Sequence, residues 1–211
     1  MTRHHFLWTR TLAGLYLVVL AGGCATTSPR SDFYTLSPVT PAEAQKAPPA
    51  AACRDVVIAI GPVTWPSYLD RPQIVTRLSA NRISFDEFHR WAGSLEEDFQ
   101  RVLAENLSRQ LHTDSVVRYP GRFGYKPRFR IPITVNRFDG RPGDAVTLNG
   151  TWSVIDEHSG ETSAPHESVI REPASRPGYE AMVVAASAAV GELSRRIATE
   201  LSGYCAVSGA K

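Results

Sequence analysis

An α+β fold, with a mostly antiparallel sheet covered on one face by two helices, is predicted by the periodicity of this 211-residue sequence. Two segments repeat apolar residues at helical spacing, and several shorter segments alternate apolar with polar residues. The predicted order along the chain is three strands, a helix, four strands and a final helix. Helices placed in this way can cover one face of a single sheet.

The first three strands precede the first helix. Residues 56–60 (VVIAI) form a continuous apolar run that ends at Gly61-Pro62, which is typical of a buried central strand. Residues 72–79 and 81–88 are two extended pieces around a short polar turn. They predict a β-hairpin.

The first helix is predicted over residues 94–111. Ser94 and Glu97 have the spacing of a capping box, in which each side chain satisfies a free backbone N–H group at the helix start. Apolar residues from Leu95 to Leu111 fall on one stripe, and charged residues lie away from it. The stripe predicts packing against a sheet.

Four strands and a helix complete the prediction. The strands are residues 116–117, 129–135, 146–154 and 161–171. The second and third of them alternate apolar and polar side chains, as expected when one face of the sheet is buried. The last helix is predicted to open at Pro177 and to continue to Tyr204, with apolar residues at helical spacing.

Residues 1–23 have the features of a bacterial export signal, with a basic start, an apolar core and small residues at the end. The sequence Leu20-Ala21-Gly22-Gly23-Cys24 resembles the lipobox of bacterial lipoproteins. That resemblance implies cleavage before Cys24 and lipid attachment to its thiol. Ala25 follows, rather than the Asp associated with inner-membrane retention, which implies the outer membrane. The alternative is an ordinary signal peptide cleaved near Ala25.

The chain after the signal divides into a tether and one domain. Residues 24–54 are rich in Pro and Ala, which predicts a lipid-anchored tether, with a short strand near residues 33–36. A single periplasmic domain is expected over residues 55–211. Arg3 and Arg10 leave with the signal, so the 23 Lys and Arg become 21, equal to the 21 Asp and Glu. A neutral chain lacks the positive charge of a general nucleic-acid binder.

Motifs that carry catalytic chemistry are absent from the sequence. It contains no G-x-S-x-G, H-E-x-x-H, P-loop or dinucleotide-binding pattern. His158 and His166 flank a predicted turn, but no cysteine or acidic third ligand accompanies them. Asp86-Glu87 beside His89 fits acid–base chemistry or simply an exposed polar loop. We therefore expect no metal, no cofactor and no enzyme.

Two cysteines, Cys53 and Cys205, remain after Cys24. Cysteines of an exported protein commonly pair, so we expect a disulfide that joins the two ends of the domain. Two separate thiols are the alternative.

The segment between the first strand and the first helix contains two distinctive runs, residues 61–77 (GPVTWPSYLDRPQIVTR) and 81–92 (NRISFDEFHRWA), of which YLDRPQIV at 68–75 is the most specific. These runs resemble the PqiC (YmbA-like) family of membrane-integrity lipoproteins, also described as auxiliary components of ABC-type transport. The resemblance implies an outer-membrane lipoprotein that works in lipid traffic. The implied partners are an MCE-domain tunnel protein (PqiB-like) and its inner-membrane partner.

Within this segment, polar side chains predict a partner-binding surface. They are Tyr68, Asp70, Arg71, Arg77 and Arg82. Arginine and tyrosine are favoured at interfaces, and nearby prolines stiffen the loop. The surface would bind the tunnel partner or a second copy of the chain. The alternative is that Asp70 and Arg71 pair locally and that Tyr68 is half-buried packing.

A basic stretch offers a second surface for lipid phosphates or an acidic partner, or is a solvated strand face. It comprises Arg118, Arg122, Lys126, Arg128, Arg130, Arg137 and Arg141. Two other functions remain open at this point. One is a periplasmic module that itself binds a lipid, which needs an apolar cavity, and the other is a periplasmic hydrolase, which needs a nucleophile close to a base.

Overall fold

A nine-stranded sheet forms most of the fold in this computed structural model, which describes residues 30–44, 53, 56–121 and 126–208. The predicted export signal and Cys24 lie outside these residues. The strands are β1 (Asp32–Tyr34), β2 (Ile58–Thr64), β3 (Gln73–Ser79), β4 (Arg82–Trp91), β5 (Val116–Arg118), β6 (Phe129–Gly140), β7 (Ala145–Trp152), β8 (Ile155–Asp156) and β9 (His166–Pro173). The α-helices are α1 (Pro41–Ala44), α2 (Leu95–Leu111) and α3 (Tyr179–Ser208), and Ser67–Leu69 form one 3₁₀ turn.

The sheet is mixed. Its main path runs in the order β1-β4-β3-β6-β2-β5, while β7 and β8 pair with β6 and β9 pairs with β7. Strand β2 is parallel to both β5 and β6, and β1 is parallel to β4. The pairs β3–β4, β6–β7, β6–β8 and β7–β9 are antiparallel. The predicted α+β class is confirmed, although "mostly antiparallel" describes this sheet only approximately.

The two long helices cover one face of the sheet, as predicted. They pack against each other, with α2 on β2 and β5 and α3 on β6, β7 and β9. Ser94 caps α2 by accepting the N–H of Glu97 at 3.3 Å, and His112 ends the helix with a left-handed φ of 52°. None of the helices in the described residues combines the length and apolar character that crossing a bilayer requires.

Residues 32–44 form a strap that runs from the sheet edge onto the two helices. After β1, Leu36 is fully buried, and its N–H donates to Asp98 Oδ2 at 2.6 Å. The N–H of Val39 donates to the side chain of buried Asn106 on α2 at 2.8 Å. The N–H of Ser37 donates to Ser187 on α3 at 3.0 Å. This part of the Pro/Ala-rich stretch is therefore packed on the domain.

A glycine of α3 makes room for the strap. A Cβ added at Gly191 would lie 2.6 Å from Val39 Cγ1, which is closer than carbon atoms approach. The helix and the strap thus fit against each other because position 191 has no side chain.

A disulfide joins Cys53 to Cys205, with the two sulfur atoms 2.11 Å apart. Both side chains are buried in the core, and Cys205 lies near the C-terminal end of α3. The bond closes a loop across a sequence separation of 152 residues. It therefore spans almost the whole domain, and leaves the strap outside the loop.

Glycine is required where β2 passes the end of β5. Gly61 has a φ of +114°, and a Cβ there would lie 2.3 Å from the carbonyl oxygen of Tyr119. The N–H of Tyr119 donates to the carbonyl of Ile60 at 2.6 Å, which holds the two strands at this spacing. The close approach of the two strands therefore requires the glycine of the Gly61-Pro62 pair, at which the apolar run of the sequence ends.

Candidate partner-binding surface

A buried carboxylate, Asp139 on β6, organises the polar residues that the sequence analysis selected. Arg77 donates to it twice, from Nε to Oδ1 at 2.8 Å and from Nη2 to Oδ2 at 2.7 Å. The hydroxyl of Tyr68 donates to Oδ2 at 2.8 Å, and Arg137 Nε donates to Oδ1 at 2.8 Å. The carboxylate has no exposed surface. A buried charge is tolerated because it is paired and hydrogen-bonded.

The surroundings of Asp139 fix the protonation of the cluster. Burial opposes ionisation of the carboxyl, but the hydrogen bonds from Arg77, Tyr68 and Arg137 outweigh it and hold its pKa below the ordinary value. Burial, together with the hydrogen bond to Asp139, raises the pKa of Tyr68 to about 12. Near neutral pH the cluster therefore contains a carboxylate, a neutral phenol and two guanidinium ions. It holds a loop in place rather than exchanging protons.

Arg71 links this buried cluster to the surface. Its Nε donates to the backbone carbonyl of Tyr68 at 2.8 Å, and its guanidinium carbon lies 3.8 Å from the centre of the Phe85 ring. Phe85 on β4 keeps 38% of its area exposed. Arg71 is thus held between the loop and the neighbouring hairpin, where a partner can reach it.

The five predicted residues consequently divide into two groups. Tyr68 and Arg77 meet at Asp139, and both are only partly exposed. Asp70 and Arg82 are exposed, and Arg71 lies between the groups. Among the described residues no hydrogen bond joins Arg82 to the Asp139 cluster. Asp139 brings Tyr68 and Arg77 together, and it is not among the five residues predicted from the sequence.

A hollow adjoins the exposed part of the loop. It has a volume of about 280 Å³ and lies between residues 65–72 and the start of α2 at residues 93–96. Asp70 and Arg71 form part of one wall, and Glu96 is on the opposite side. The hollow is large enough to receive a side chain of another protein.

The Asp86–His89 group has a structural role in the fold. Asp86 Oδ1 accepts the N–H groups of Phe88 and His89, each at 2.9 Å, where the β3–β4 register is irregular. Asp86 Oδ2 accepts the hydroxyl of Tyr179 at 3.0 Å, and the His89 ring stacks on that tyrosine at 3.9 Å. Burial opposes ionisation of Asp86, but the hydrogen bond from the His89 ring to Oδ1 at 2.8 Å, together with the bonds from the two N–H groups and from Tyr179, lowers its pKa. The group joins β4 to the first residue of α3.

The histidines of the predicted turn do not face each other as metal ligands. His166 stacks on Trp152 at 4.3 Å, and its Nε2 lies 3.6 Å from Glu200. His158 is exposed in the turn. In the part of the chain that the structure describes, no group of three His, Cys, Asp or Glu side chains is arranged to hold a metal ion.

Much of the basic stretch is neutralised by acidic side chains. Arg128 pairs with Asp156 at 2.7 Å, and Arg130 pairs with Glu157. Arg137 belongs to the Asp139 cluster. These three arginines therefore do not form a free basic surface, because Asp156 and Glu157 at the β8 turn neutralise Arg128 and Arg130, and Asp139 neutralises Arg137.

Comparisons with known proteins agree with this architecture. Residues 34–198 match the family model described as "ABC-type transport auxiliary lipoprotein component". The chain is similar to the intermembrane transport lipoprotein PqiC of Escherichia coli, with 26% identity over 200 residues that cover 92% of this chain and 96% of that protein. PqiC of Shigella flexneri matches with the same identity and coverage.

Solved structures share the fold. A protein from Xanthomonas campestris superposes with a TM-score of 0.66 at 15% identity, covering 85% of this chain and 97% of that one. An uncharacterised protein has the same TM-score at 21% identity and covers 82% of this chain and 99% of its own. The family match spans β2 to β9, α2, the Asp139 cluster and most of α3. The chain therefore belongs to the family of ABC-type transport auxiliary lipoprotein components.

Proposed function

We propose that this lipoprotein is an accessory component of an intermembrane lipid-transport system, anchored through Cys24 in the outer membrane and exposed to the periplasm. Its role is to dock an MCE-domain tunnel protein that is linked to an inner-membrane partner. The name of the E. coli relative, an intermembrane transport lipoprotein, supports a role in transport between membranes. The lipobox sequence supports the anchor.

One observation carries the docking role, namely the position of Arg71 over the partly exposed ring of Phe85. The guanidinium remains accessible, while the buried Asp139 cluster fixes the loop that bears it. A pre-positioned arginine beside an aromatic ring has the chemistry of an interface hot spot, because little side-chain entropy is lost on binding. Exposed Asp70 and the hollow next to it extend the same surface.

The apolar pocket beneath α3 offers little room for a bound lipid. The apolar pocket between the sheet and α3, lined by Leu69, Trp91, Phe138 and Met182 among others, has a volume of about 10 Å³. That is roughly the space of a single water molecule. An acyl chain would need far more, so this pocket does not hold one.

The test is crosslinking in membranes that contain the native lipoprotein, followed by identification of the captured protein. Arg71→Ala should weaken capture of the tunnel protein by about 30-fold, the size of an interface hot spot. Arg195→Ala is the matched control, since Arg195 is exposed on α3 and pairs with Glu192. Unchanged capture by the Arg71 variant would place the interface elsewhere, and capture of a second copy instead would make this surface a homo-oligomer contact.

The anchor has its own test. Cys24→Ser should abolish incorporation of labelled palmitate, because only the thiol can carry the diacylglycerol. Label in the serine variant, or none in the parent protein, would refute anchoring at Cys24.

A further inference from the structure

Two exposed phenylalanines lie next to each other at the β1 edge of the sheet. Phe33 of β1 has 64% of its area exposed, and Phe88 of β4 has 44%. Phe33 is the register partner of Arg90, which is two residues from Phe88 along β4. Adjacent exposed aromatic side chains on a globular domain commonly mark a contact surface.

This edge is firmly attached to the domain. The carbonyl of Tyr34 accepts the N–H of Ala92 at 2.8 Å, and Leu36 is buried directly after the strand. Asp98 accepts both the N–H of Leu36 and the hydroxyl of Thr35. The chain that leads to the anchor is therefore fixed to the fold from Asp32 onward.

Little chain separates this edge from the anchor. Asp32 follows Cys24 by eight residues, and an extended chain of that length spans at most about 29 Å. A random coil of the same length would average about 16 Å. Along the main path of the sheet, β5 lies five strand spacings from β1, so the distance between these two strands is about 24 Å. The covalent connection therefore keeps the β1 edge within about 29 Å of the lipid, whereas it sets a looser limit on β5.

We propose that Phe33 and Phe88 insert into the surface of the same membrane in which Cys24 is anchored. The proposal rests on the Cys24 anchor of the proposed function and adds an orientation to it. Phenyl rings gain free energy by leaving water for the headgroup–acyl boundary. A short covalent link keeps the local concentration of membrane surface high, so a patch of two rings suffices where an untethered patch would not bind.

The test uses the full-length, lipidated protein in vesicles of phosphatidylethanolamine and phosphatidylglycerol, with bromine on the acyl chains. Phe33→Trp and Phe88→Trp place a fluorophore at each position. Val169→Trp on β9 and Val184→Trp on α3 are controls, because these valines are 56% and 62% exposed. Fluorescence of the native tryptophans is subtracted by using the parent protein.

We expect bromolipid to quench the tryptophans at positions 33 and 88 at least twofold more than those at positions 169 and 184. Equal quenching at all four positions, in protein that floats with the vesicles, would overturn the orientation and leave the anchor intact. If the protein did not float with the vesicles, both the anchor and this proposal would be refuted. A third outcome would also overturn the proposal. If bromolipid in the vesicles did not quench the tryptophans at positions 33 and 88, and if their emission in detergent shifted to the blue as the protein concentration rose, the patch would be a contact between two copies of the chain.

Discussion

Arg77 and Asp139 form a two-point ion pair between β3 and β6, across 62 residues of sequence. The carboxylate is fully buried, whereas the guanidinium retains some exposure. Tyr68, in the loop before β3, donates its hydroxyl to the same carboxylate. The pair thus fixes the loop that presents Arg71. Tyr68 and Arg77, which were predicted as partner contacts, therefore act inside the fold.

Arg77→Ala should destabilise the protein strongly. It removes the two-point partner of the buried Asp139 carboxylate, to which only Tyr68 and Arg137 then still donate, and we expect a loss of about 2–3 kcal/mol. The free energy of unfolding from urea titration measures this. Arg195→Ala, which removes an exposed ion pair on α3, should change that free energy by no more than about 0.5 kcal/mol. A loss below about 1 kcal/mol for Arg77→Ala would contradict the assigned role.

Acid should weaken the contribution of Asp139. The pKa of its carboxyl is lower in the folded state than its ordinary value of 3.8, so the stabilisation is complete at neutral pH. It is lost as the pH falls below about 4 and through the folded pKa. The difference in unfolding free energy between the parent and Asp139→Asn should therefore shrink between pH 7 and pH 3. Asp86, Asp156 and Glu192, whose pKa values are also lowered, cancel in this comparison.

Removing the disulfide should lower the melting temperature. The Cys53–Cys205 bond spans 152 residues, and cross-links of native exported domains contribute roughly 2–5 kcal/mol. Cys205→Ala should melt earlier than the parent under non-reducing conditions. Adding a reductant should shift the parent toward the variant and leave the variant unchanged. Identical melting curves for the two proteins would refute a stabilising bond.

Gly191→Ala should loosen the strap by crowding Val39. Hydrogen exchange at the N–H of Val39, which donates to Asn106, should become faster. Combining it with Val39→Ala removes the crowded methyl group, and exchange should slow again. The double variant also gains about 1 kcal/mol of helix propensity from replacing glycine in α3. Faster exchange that persists in the double variant would show that the close approach is not responsible.

Sequence periodicity was sufficient for the elements whose signals are local. The Ser94 cap, the apolar stripe of α2 and the hairpin of β3 and β4 all follow from neighbouring residues. Periodicity does not encode strand order, so the parallel pairing of β2 with β5 and β6 could not be predicted. The mixed sheet results from that pairing.

The site could be predicted in part, for the same reason. The specific run at residues 68–75 points to the correct loop. However, Asp139 stands alone in a basic stretch, and nothing local reveals that Tyr68 and Arg77 reach it from 71 and 62 residues away. Thr40 and Glu43 do carry a local signal. They form a capping box at α1, which marks ordered chain within a Pro/Ala-rich stretch.

The strap lies outside the covalent loop closed by Cys53 and Cys205, and this decides how the molecule responds to mechanical force. In the proposed function, a pull on the lipid anchor at Cys24 reaches β1 and the strap first. Their backbone hydrogen bonds to α2, α3 and β4 yield one after another, which lengthens the connection by the residues released. Beyond Cys53 the tension divides between the main chain and the sulfur bridge to Cys205. The fold between the two cysteines is thus loaded from both of its ends, whereas the strap is loaded from one end only and is expected to yield first.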